Sequence, residues 1–301
     1  MKCKFILANE LCGLSLVDLC ELFEVQRSSY YVWRAGEAGR RANREEEEKL
    51  GVVIEEIFIK SRKSYGARRV QDQLKKKGYK DCSVKQVRRI MKRKALFSVH
   101  CRRKRKVVMT TDSRGNKSIA DNLLKRAFTA IGPNQKWVGD ITYIWTEEGW
   151  LYLATVMDLY SRKIVGYAMG SHINAELACK AFKMALLRRP QAKELMYHSD
   201  RGSVYGSLEF RELLIQNAIT PSMSRKGNCY DNAVAESFFH TLKVELIFQN
   251  KYKLKISAIF SISEWIENFY NNERTHSTLG YHSPVEFEAL NSTNPERVSC
   301  P

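Results

Sequence analysis

The feature that most restricts the fold is a run of three strand-like segments in close succession. Trp137–Trp145, Trp150–Leu159 and Ile164–Met169 are rich in Val, Ile, Leu and Tyr, and short turns separate them. After them, helical and strand-like segments alternate: helices over 175–188, 208–217 and 232–248, and short strands over 194–198 and from 219. A meander followed by such alternation predicts a mixed sheet with helices on both faces.

The N-terminal third has helical periodicity instead. Residues 1–35 are predicted to form two short helices joined by a tight turn, the second beginning near Arg27. Residues 45–97 are predicted as a second helical module, whose last helix carries Arg88 and Arg89 off its apolar stripe. Both modules resemble DNA-reading helix-turn-helix elements, although small helices that only pack a core give the same pattern.

Positive charge is concentrated in the same part of the chain. The net charge is +17, of which residues 1–120 contribute +16 and residues 121–301 only +1. Residues 98–125 are interpreted as a basic linker that lies across phosphates, with Arg102, Arg103 and Arg105 as contacts. Such asymmetry favours a polyanionic partner over the substrates of an ordinary metabolic enzyme, the alternative being a solvated surface.

Membrane and redox signals point to the cytoplasm. The apolar stretch near the N-terminus stops at Asn9, too early for a signal peptide, and no run approaches the length of a membrane span. The eight cysteines form no CxxC pair and no zinc-ligand spacing, which favours reduced thiols. We therefore expect a cytoplasmic, nucleoid-associated protein without membrane contact.

Three acids in the second half have informative positions. Asp140 interrupts the first strand, Asp200 directly follows the strand that ends at His198, and Glu236 lies on the edge of the apolar stripe of a long helix. A predicted catalytic core over 126–250, with a helical extension over 251–301, would bring them together. Converging carboxylates repel one another unless a cation neutralises them, although any one of these acids alone is more often structural.

Oxygen ligands of this kind suit Mg²⁺ or Mn²⁺. Two such ions would activate a nucleophile and stabilise the leaving oxygen in an in-line phosphoryl displacement. We therefore expect Asp140, Asp200 and Glu236 to be both catalytic residues and metal ligands.

The spacing of the acids and the motifs around them resemble those of a known protein family. Asp200 and Glu236 are separated by 35 residues, and Lys243 follows Glu236 by seven. This resembles the Asp-Asp-35-Glu signature of integrase-like transposases, whose catalytic domain has the ribonuclease H fold. The segments WVGDITYI, VMDLYSRKIVGY, HSDRGSVY, SMSRKGNCYDNAVAESFFHTLKVEL and FYNNERTHSTLGYHSPVEF resemble the second-reading-frame product of the IS-three family of bacterial insertion elements. YGARRVQDQL and VKQVRRIMKRKAL resemble its helix-turn-helix module, so the similarity spans about residues 10 to 290.

The resemblance implies roles for individual residues. Asp140 would bridge both metal ions, Asp200 would bind one and Glu236 the other. Lys243 would contact the DNA end, although a simple Lys–Glu pairing on the helix is the alternative. Arg225 and Lys226, beside Gly227, would let a loop approach the DNA backbone closely. Three further candidates are of lower rank: His240, Asp158 as the structural end of a strand, and Asp231 as a helix cap.

The resemblance also implies a reaction and partners. Water would cleave the phosphodiester at an element end, and the freed 3′-hydroxyl would attack another. The partners would be double-stranded DNA (terminal inverted repeats and target), a second copy of the chain, and an upstream-frame product fused to it or paired with it. Two alternatives are a DNA-binding regulator without catalysis and a nuclease for RNA–DNA hybrids.

Overall fold

The computed structural model describes residues 2–10, 14–101, 119–189, 194–226 and 229–292. The chain divides into two units, Met1–Lys60 with Val70–Phe97, and Ser61–Arg69 with Ser98–Pro301. Arg102, Arg103, Arg105 and Gly227 lie outside the described residues. The boundaries predicted above for individual modules stay predictions.

Helices dominate the N-terminal part, as the sequence predicts: α1 (Lys2–Ala8), α2 (Leu16–Leu22), α3 (Arg27–Ala35), α4 (Glu37–Lys60), α5 (Ala67–Lys76) and α6 (Val84–Arg93). Ser15 caps α2 by a reciprocal arrangement, since its hydroxyl accepts from the backbone N–H of Asp18, whose carboxylate accepts from the N–H of Ser15. A small core unites α1 to α3, formed by the buried Ile6, Leu19, Cys20 and Tyr30.

The sequence predicts helical structure in this region only from residue 45, but α4 already begins at Glu37. Residues 37–44 look like a polar linker in sequence, but their charges are complementary across helical turns. Glu37 pairs with Arg40 and Arg44, and Arg41 pairs with Glu45. These pairs stabilise a helix in a segment that has no apolar periodicity.

The described strands of the second unit form one mixed sheet. They are β1 (Lys136–Thr146), β2 (Gly149–Asp158), β3 (Ile164–Gly170), β4 (Met196–Ser199) and β5 (Thr220–Met223). The order across the sheet is β3-β2-β1-β4-β5, with β1, β2 and β3 antiparallel and with β4 parallel to both β1 and β5. The predicted meander and the mixed sheet are confirmed.

Helices cover both faces of the sheet, in agreement with the α/β ribonuclease H-like class that the resemblance implies. The helices are α7 (Ala175–Arg188), α8 (Leu208–Gln216), α9 (Ala233–Glu245), α10 (Lys255–Glu264) and α11 (Pro284–Ser292), with a π-helical turn over Trp265–Tyr270. One apolar cluster joins the sheet to α9, α10 and the π-helical turn, and another joins it to α7 and α8. The segment after 250 thus contributes directly to one of the two cores.

The hairpin of β1 and β2 extends beyond its neighbours. β4 pairs with β1 only from Lys136 to Val138, and β3 pairs with β2 from Tyr152 to Met157. The tip, which turns at Gly149 with a φ of +99°, therefore borders no other strand of the described part of the chain. We call residues 143–152 the hairpin arm.

Two segments near the first unit's boundaries belong to the second unit. Arg62 donates two hydrogen bonds, of 3.0 and 2.6 Å, to Glu264. The Tyr65 hydroxyl accepts from the backbone N–H of Thr275 at 2.8 Å, and His100 lies 2.7 Å from the carboxylate of Glu245 at the end of α9. Residues 61–69 and 98–101 are thus fixed by polar contacts to the unit that carries the sheet.

Candidate active site

Asp140 lies in the middle of the longest strand. Its side chain is half-buried, and its Oδ1 accepts a hydrogen bond of 2.8 Å from the backbone N–H of Ile141. Gly139 precedes it, and a Cβ at this position would overlap the buried hydroxyl of Tyr197 on β4. The glycine therefore allows β4 to present a large side chain beside the strand that carries Asp140.

Asp200 follows β4 immediately. The parallel register pairs Val138 with His198 and ends there, and Asp140 and Asp200 each lie two residues further along the chain. Adjacent strands lie about 4.8 Å apart. A backbone hydrogen bond of 2.9 Å from Gly202 to Asp200 Oδ1 closes the turn that ends the strand.

Glu236 lies in the first turn of α9 and is exposed. α9 packs on the sheet through Phe238, Phe239 and Leu242, which belong to the same buried cluster as Val138. The sequence analysis placed Glu236 at the edge of this apolar stripe, and the structure agrees. An acid in the first turn also interacts favourably with the helix dipole.

Electrostatics indicate that the three carboxylates influence one another. Burial raises the pKa of Asp140 well above its usual range, and the charges of Asp200 and Glu236 raise it further, whereas the N–H of Ile141 and the charge of Lys243 lower it. Burial and the charge of Asp200 likewise raise the pKa of Glu236. Such mutual repulsion is the signature of acids gathered at one site.

The carboxylates do not yet form a coordination shell. Within the described ranges, no group of three or more His, Cys, Asp or Glu side chains is arranged to hold a metal ion. The backbone brings Asp140 and Asp200 to adjacent positions, while the side chain of Glu236 points to solvent at the start of α9.

Lys243 lies two helical turns after Glu236. Its Nζ stands 4.5 Å from the centroid of the Tyr143 ring, and its side chain is half-buried. Burial lowers the pKa of Lys243, whereas the charge of Asp140 raises it. The lysine therefore lies near both the acidic site and the hairpin arm. Its aromatic contact is Tyr143, and no ion pair joins it to Glu236 among the described residues.

Asp231 has a different role from the predicted one. The N-cap of α9 is Asn232, and the carboxylate of Asp231 is fully buried, where it accepts hydrogen bonds from Arg225, Arg126 and Asn122. The prediction of a helix cap is wrong, because two arginines compete for this carboxylate. Hydrogen bonds from Arg225 hold the pKa of Asp231 well below its usual range.

The remaining lower-ranked residues have different surroundings. Asp158 ends β2, as predicted, and accepts backbone hydrogen bonds from Asn134 and Tyr160 at 2.8 and 3.0 Å. His240 lies on the exposed side of α9. His198, which the sequence analysis did not single out, is buried next to Asp200 and contacts the hydroxyls of Ser222 and Ser224 on and after β5.

The predicted DNA contacts differ in their surroundings. Arg27, Arg88 and Lys226 are exposed. Arg89 is exposed but pairs with Glu47 on α4, and Arg225 pairs with Asp231. In the described part of the chain, no helix is long and apolar enough to cross a membrane.

Comparison with known proteins identifies two kinds of domain. Family models described as an integrase core domain match residues 130–229 and 217–284, and a model described as an HTH-like domain matches residues 44–105. The first two matches cover the sheet with α7, α8 and α9, and the third covers most of α4 together with α5 and α6.

Individual relatives match over almost the whole chain. An insertion element IS600 uncharacterized 31 kDa protein of Shigella sonnei is 44% identical over 89% of this chain and 97% of its own length. The transposase InsF for insertion sequence IS3A of Escherichia coli K12 is 38% identical over 92% of this chain and 95% of its own. Among solved structures, the HTLV-2 integrase catalytic core domain in complex with magnesium matches 52% of this chain and 97% of its own at 17% identity, with a TM-score of 0.41.

The family models and the relatives that match over almost the whole chain agree with the resemblance carried by the motifs. They also remove the regulator without catalysis from consideration, because the matched relatives include transposases over nearly their full length. The chain belongs to the IS3 (IS-three) family of insertion-sequence transposases, enzymes of the DDE-type polynucleotidyl transferase class.

Proposed function

We propose that this transposase cleaves insertion-element ends and joins them to another DNA site, with Asp140, Asp200 and Glu236 as the catalytic triad. One observation carries the proposal: the three acids lie in β1, directly after β4 and in the first turn of α9, and these elements pack together. The charges of Asp200 and Glu236 agree with this placement, because both raise the pKa of Asp140. Such an arrangement is costly for folding alone and suits a site for cations.

The donor set fits a divalent metal. All three side chains offer carboxylate oxygens, the ligands that Mg²⁺ and Mn²⁺ prefer. We infer that Asp140, Asp200 and Glu236 would together hold the divalent ions, two of them as the resemblance implies. When bound, such ions supply Lewis acidity to the phosphodiester and lower the pKa of the attacking water.

The protein's own groups position the DNA. Lys243 provides a positive charge that interacts with Asp140. A lysine in this place suits a phosphate oxygen of the bound strand end. Hydrogen bonds from Ile141 and Gly202 fix the orientation of Asp140 and Asp200 before the substrate arrives.

The proposed partners are two DNA segments and a second protein copy. Terminal inverted repeats and target DNA suit the strongly basic N-terminal 120 residues, with Arg27, Arg88 and Arg89 as candidate contacts there and Arg225 and Lys226 near the site. Joining two element ends requires at least a dimer. We further propose that the chain acts in the bacterial cytoplasm on nucleoid DNA, fused to or paired with an upstream-frame product.

A strand-transfer assay with oligonucleotide element ends tests the proposal. Glu236→Gln keeps the size of the side chain, and we expect it to abolish joined product in Mg²⁺ while end binding persists. Glu212→Gln, an exposed acid on α8, is the matched control and retains activity. Joining at the unsubstituted rate by Glu236→Gln would refute the triad.

A further inference from the structure

The hairpin arm carries a group of aromatic side chains that solvent reaches. Trp145 is 58% exposed and Trp150 is 43% exposed, although each is a large apolar side chain. They are cross-strand neighbours that meet edge to face, at ring centroids 4.8 Å apart, and the Tyr143 ring meets Trp150 in the same way at 4.9 Å. We call Tyr143, Trp145 and Trp150 the aromatic platform.

Fold stability does not account for this platform. Trp137 and Trp265 are fully buried in the two cores, as the size of the side chain favours. The platform instead occupies the part of the hairpin that no other described strand covers. Clustered exposed aromatic rings of this kind mark a binding surface.

Charge near the platform is polarised. Lys243 lies over the Tyr143 ring, at the end closer to Asp140, whereas Glu147 and Glu148 form the turn at the far end. A ligand that spans the platform therefore meets a cation near the catalytic acids and acids at the tip. This order favours a ligand with an anionic group toward Lys243 and an uncharged flat group toward the tryptophans.

The platform is also at a suitable distance from the proposed site of chemistry. Tyr143 and Trp145 follow Asp140 by three and five residues, or about 10 to 17 Å along an extended strand, and lie on the opposite face of β1. Lys243 connects the two faces, because it contacts the Tyr143 ring and interacts with the charge of Asp140. One nucleotide of stacked DNA rises about 3.4 Å. The platform thus lies within about three to five nucleotides of a phosphate held at Asp140.

We propose that the aromatic platform stacks an unpaired base of the DNA end whose phosphate is held beside Lys243. An unpaired base exposes its flat face, which stacks on aromatic side chains irrespective of sequence, whereas a paired base is already stacked in its own duplex. The platform would hold open the terminal base pairs next to the cleaved bond. This inference rests on the proposed function, because it uses the DNA position that the triad implies.

The test uses full-length protein and element-end oligonucleotides that carry 2-aminopurine, a fluorescent base, in an unpaired or a paired flank. Binding is measured in the Glu236→Gln background, so that cleavage plays no part. Quenching of the unpaired 2-aminopurine is expected, together with loss of quenching and about ten-fold weaker binding in Trp150→Ala, the size of one lost base stack. Trp150→Phe should restore both, and paired ends should bind equally well to all variants.

Phe260→Ala removes an exposed aromatic ring from α10 and is the matched control, with binding and quenching unchanged. Equal quenching by Trp150→Ala and by the parent would overturn the proposal that the platform stacks an unpaired base. Conversion of a dimer to a monomer by Trp150→Ala, with quenching retained, would also overturn it, by showing that the rings cover a second copy. Failure of the proposed triad would give a different result, because Glu236→Gln would then still join DNA in the strand-transfer assay.

Discussion

The guanidinium of Arg274 forms a buried ion pair with the carboxylate of Glu245 in the second unit. Nε and Nη2 of the arginine donate hydrogen bonds of 2.8 to 3.1 Å, and the two side chains are 5% and 0% exposed. His100 lies 2.7 Å from the same carboxylate. The pair joins the end of α9 to the segment after the π-helical turn, and thereby fixes the helix that carries Glu236 and Lys243.

Removal of one partner of this pair should destabilise the second unit strongly. Glu245→Gln leaves the buried charge of Arg274 without its counter-ion, and we expect a loss of about 3–5 kcal/mol in the free energy of unfolding, measured by urea denaturation. Glu264→Gln, which removes the partly exposed partner of Arg62, is the control and should cost about 1 kcal/mol or less. Equal losses for both variants would contradict the prediction.

The same pair should make stability depend on pH in the acid range. Burial alone would raise the pKa of Glu245, but Arg274 and His100 outweigh it and lower the pKa to about 2, against an ordinary value of 4.5. The ion pair therefore contributes fully above pH 4.5, and its contribution is lost as the pH falls toward 2. Unfolding curves should show this loss in the parent and a weaker dependence in Glu245→Gln.

Repulsion at the proposed catalytic site should cost the protein stability. Asp140→Asn removes a buried charge from beside Asp200 and Glu236, and we expect the variant to gain about 1–2 kcal/mol without metal. Mg²⁺ or Mn²⁺ should raise the melting temperature of the parent but not that of the variant, because ligands that bind only the folded state stabilise it. A parent and a variant with equal response to Mn²⁺ would count against metal binding at Asp140.

Arg225 and Lys226 are neighbours that should respond differently to substitution. Arg225 is held by Asp231, which it shares with Arg126, so Arg225→Ala should lower stability and change the salt dependence of DNA binding less than Lys226→Ala does. Lys226→Ala should reduce the slope of log K against log salt by about one. Fluorescence anisotropy at several salt concentrations measures both, and identical slopes for the two variants would refute the distinction.

Gly166 marks a close approach between β3 and α7. A Cβ there would meet the backbone of Ala181 and Ala185, so Gly166→Ala should cost about 1–3 kcal/mol or more through overpacking. Gly170 lies on the same strand, where a Cβ would only touch Leu177 at 3.4 Å. Gly170→Ala should therefore change the thermal midpoint far less, and an equal shift in both would show that space at Gly166 is not the cause.

Local patterns were enough to predict the strands and the positions of the three acids. Enrichment in Val, Ile, Leu and Tyr between short turns identified β1 and β2, and the place of Asp200 after a short strand followed from the run that ends at His198. The bond between Glu245 and Arg274 was not predictable, since it joins residues 29 positions apart with no pattern that links them. Asp231 was misassigned for the same reason: its partner Arg126 lies 105 residues away.

Tyr143 illustrates a further limit. Tyr143 and Ile141 together predict a strand. The neighbour of Tyr143 is not predictable from that pattern: β4 pairs with β1 only as far as Val138, and Tyr143 contacts Lys243 of α9 instead. The early start of α4 was hidden similarly, because complementary charges at Glu37 and Arg40 stabilise a helix without apolar periodicity.

β4 consists of only four residues, and its shortness has a consequence for the architecture of the catalytic unit. Its register with β1 ends at His198, so β1 runs on to Thr146 with no other strand of the described chain on that side. The edge of β1 is therefore open where Asp140 lies. We expect a nucleic-acid backbone to approach the acids from this open edge, because α9 packs over one face of the sheet.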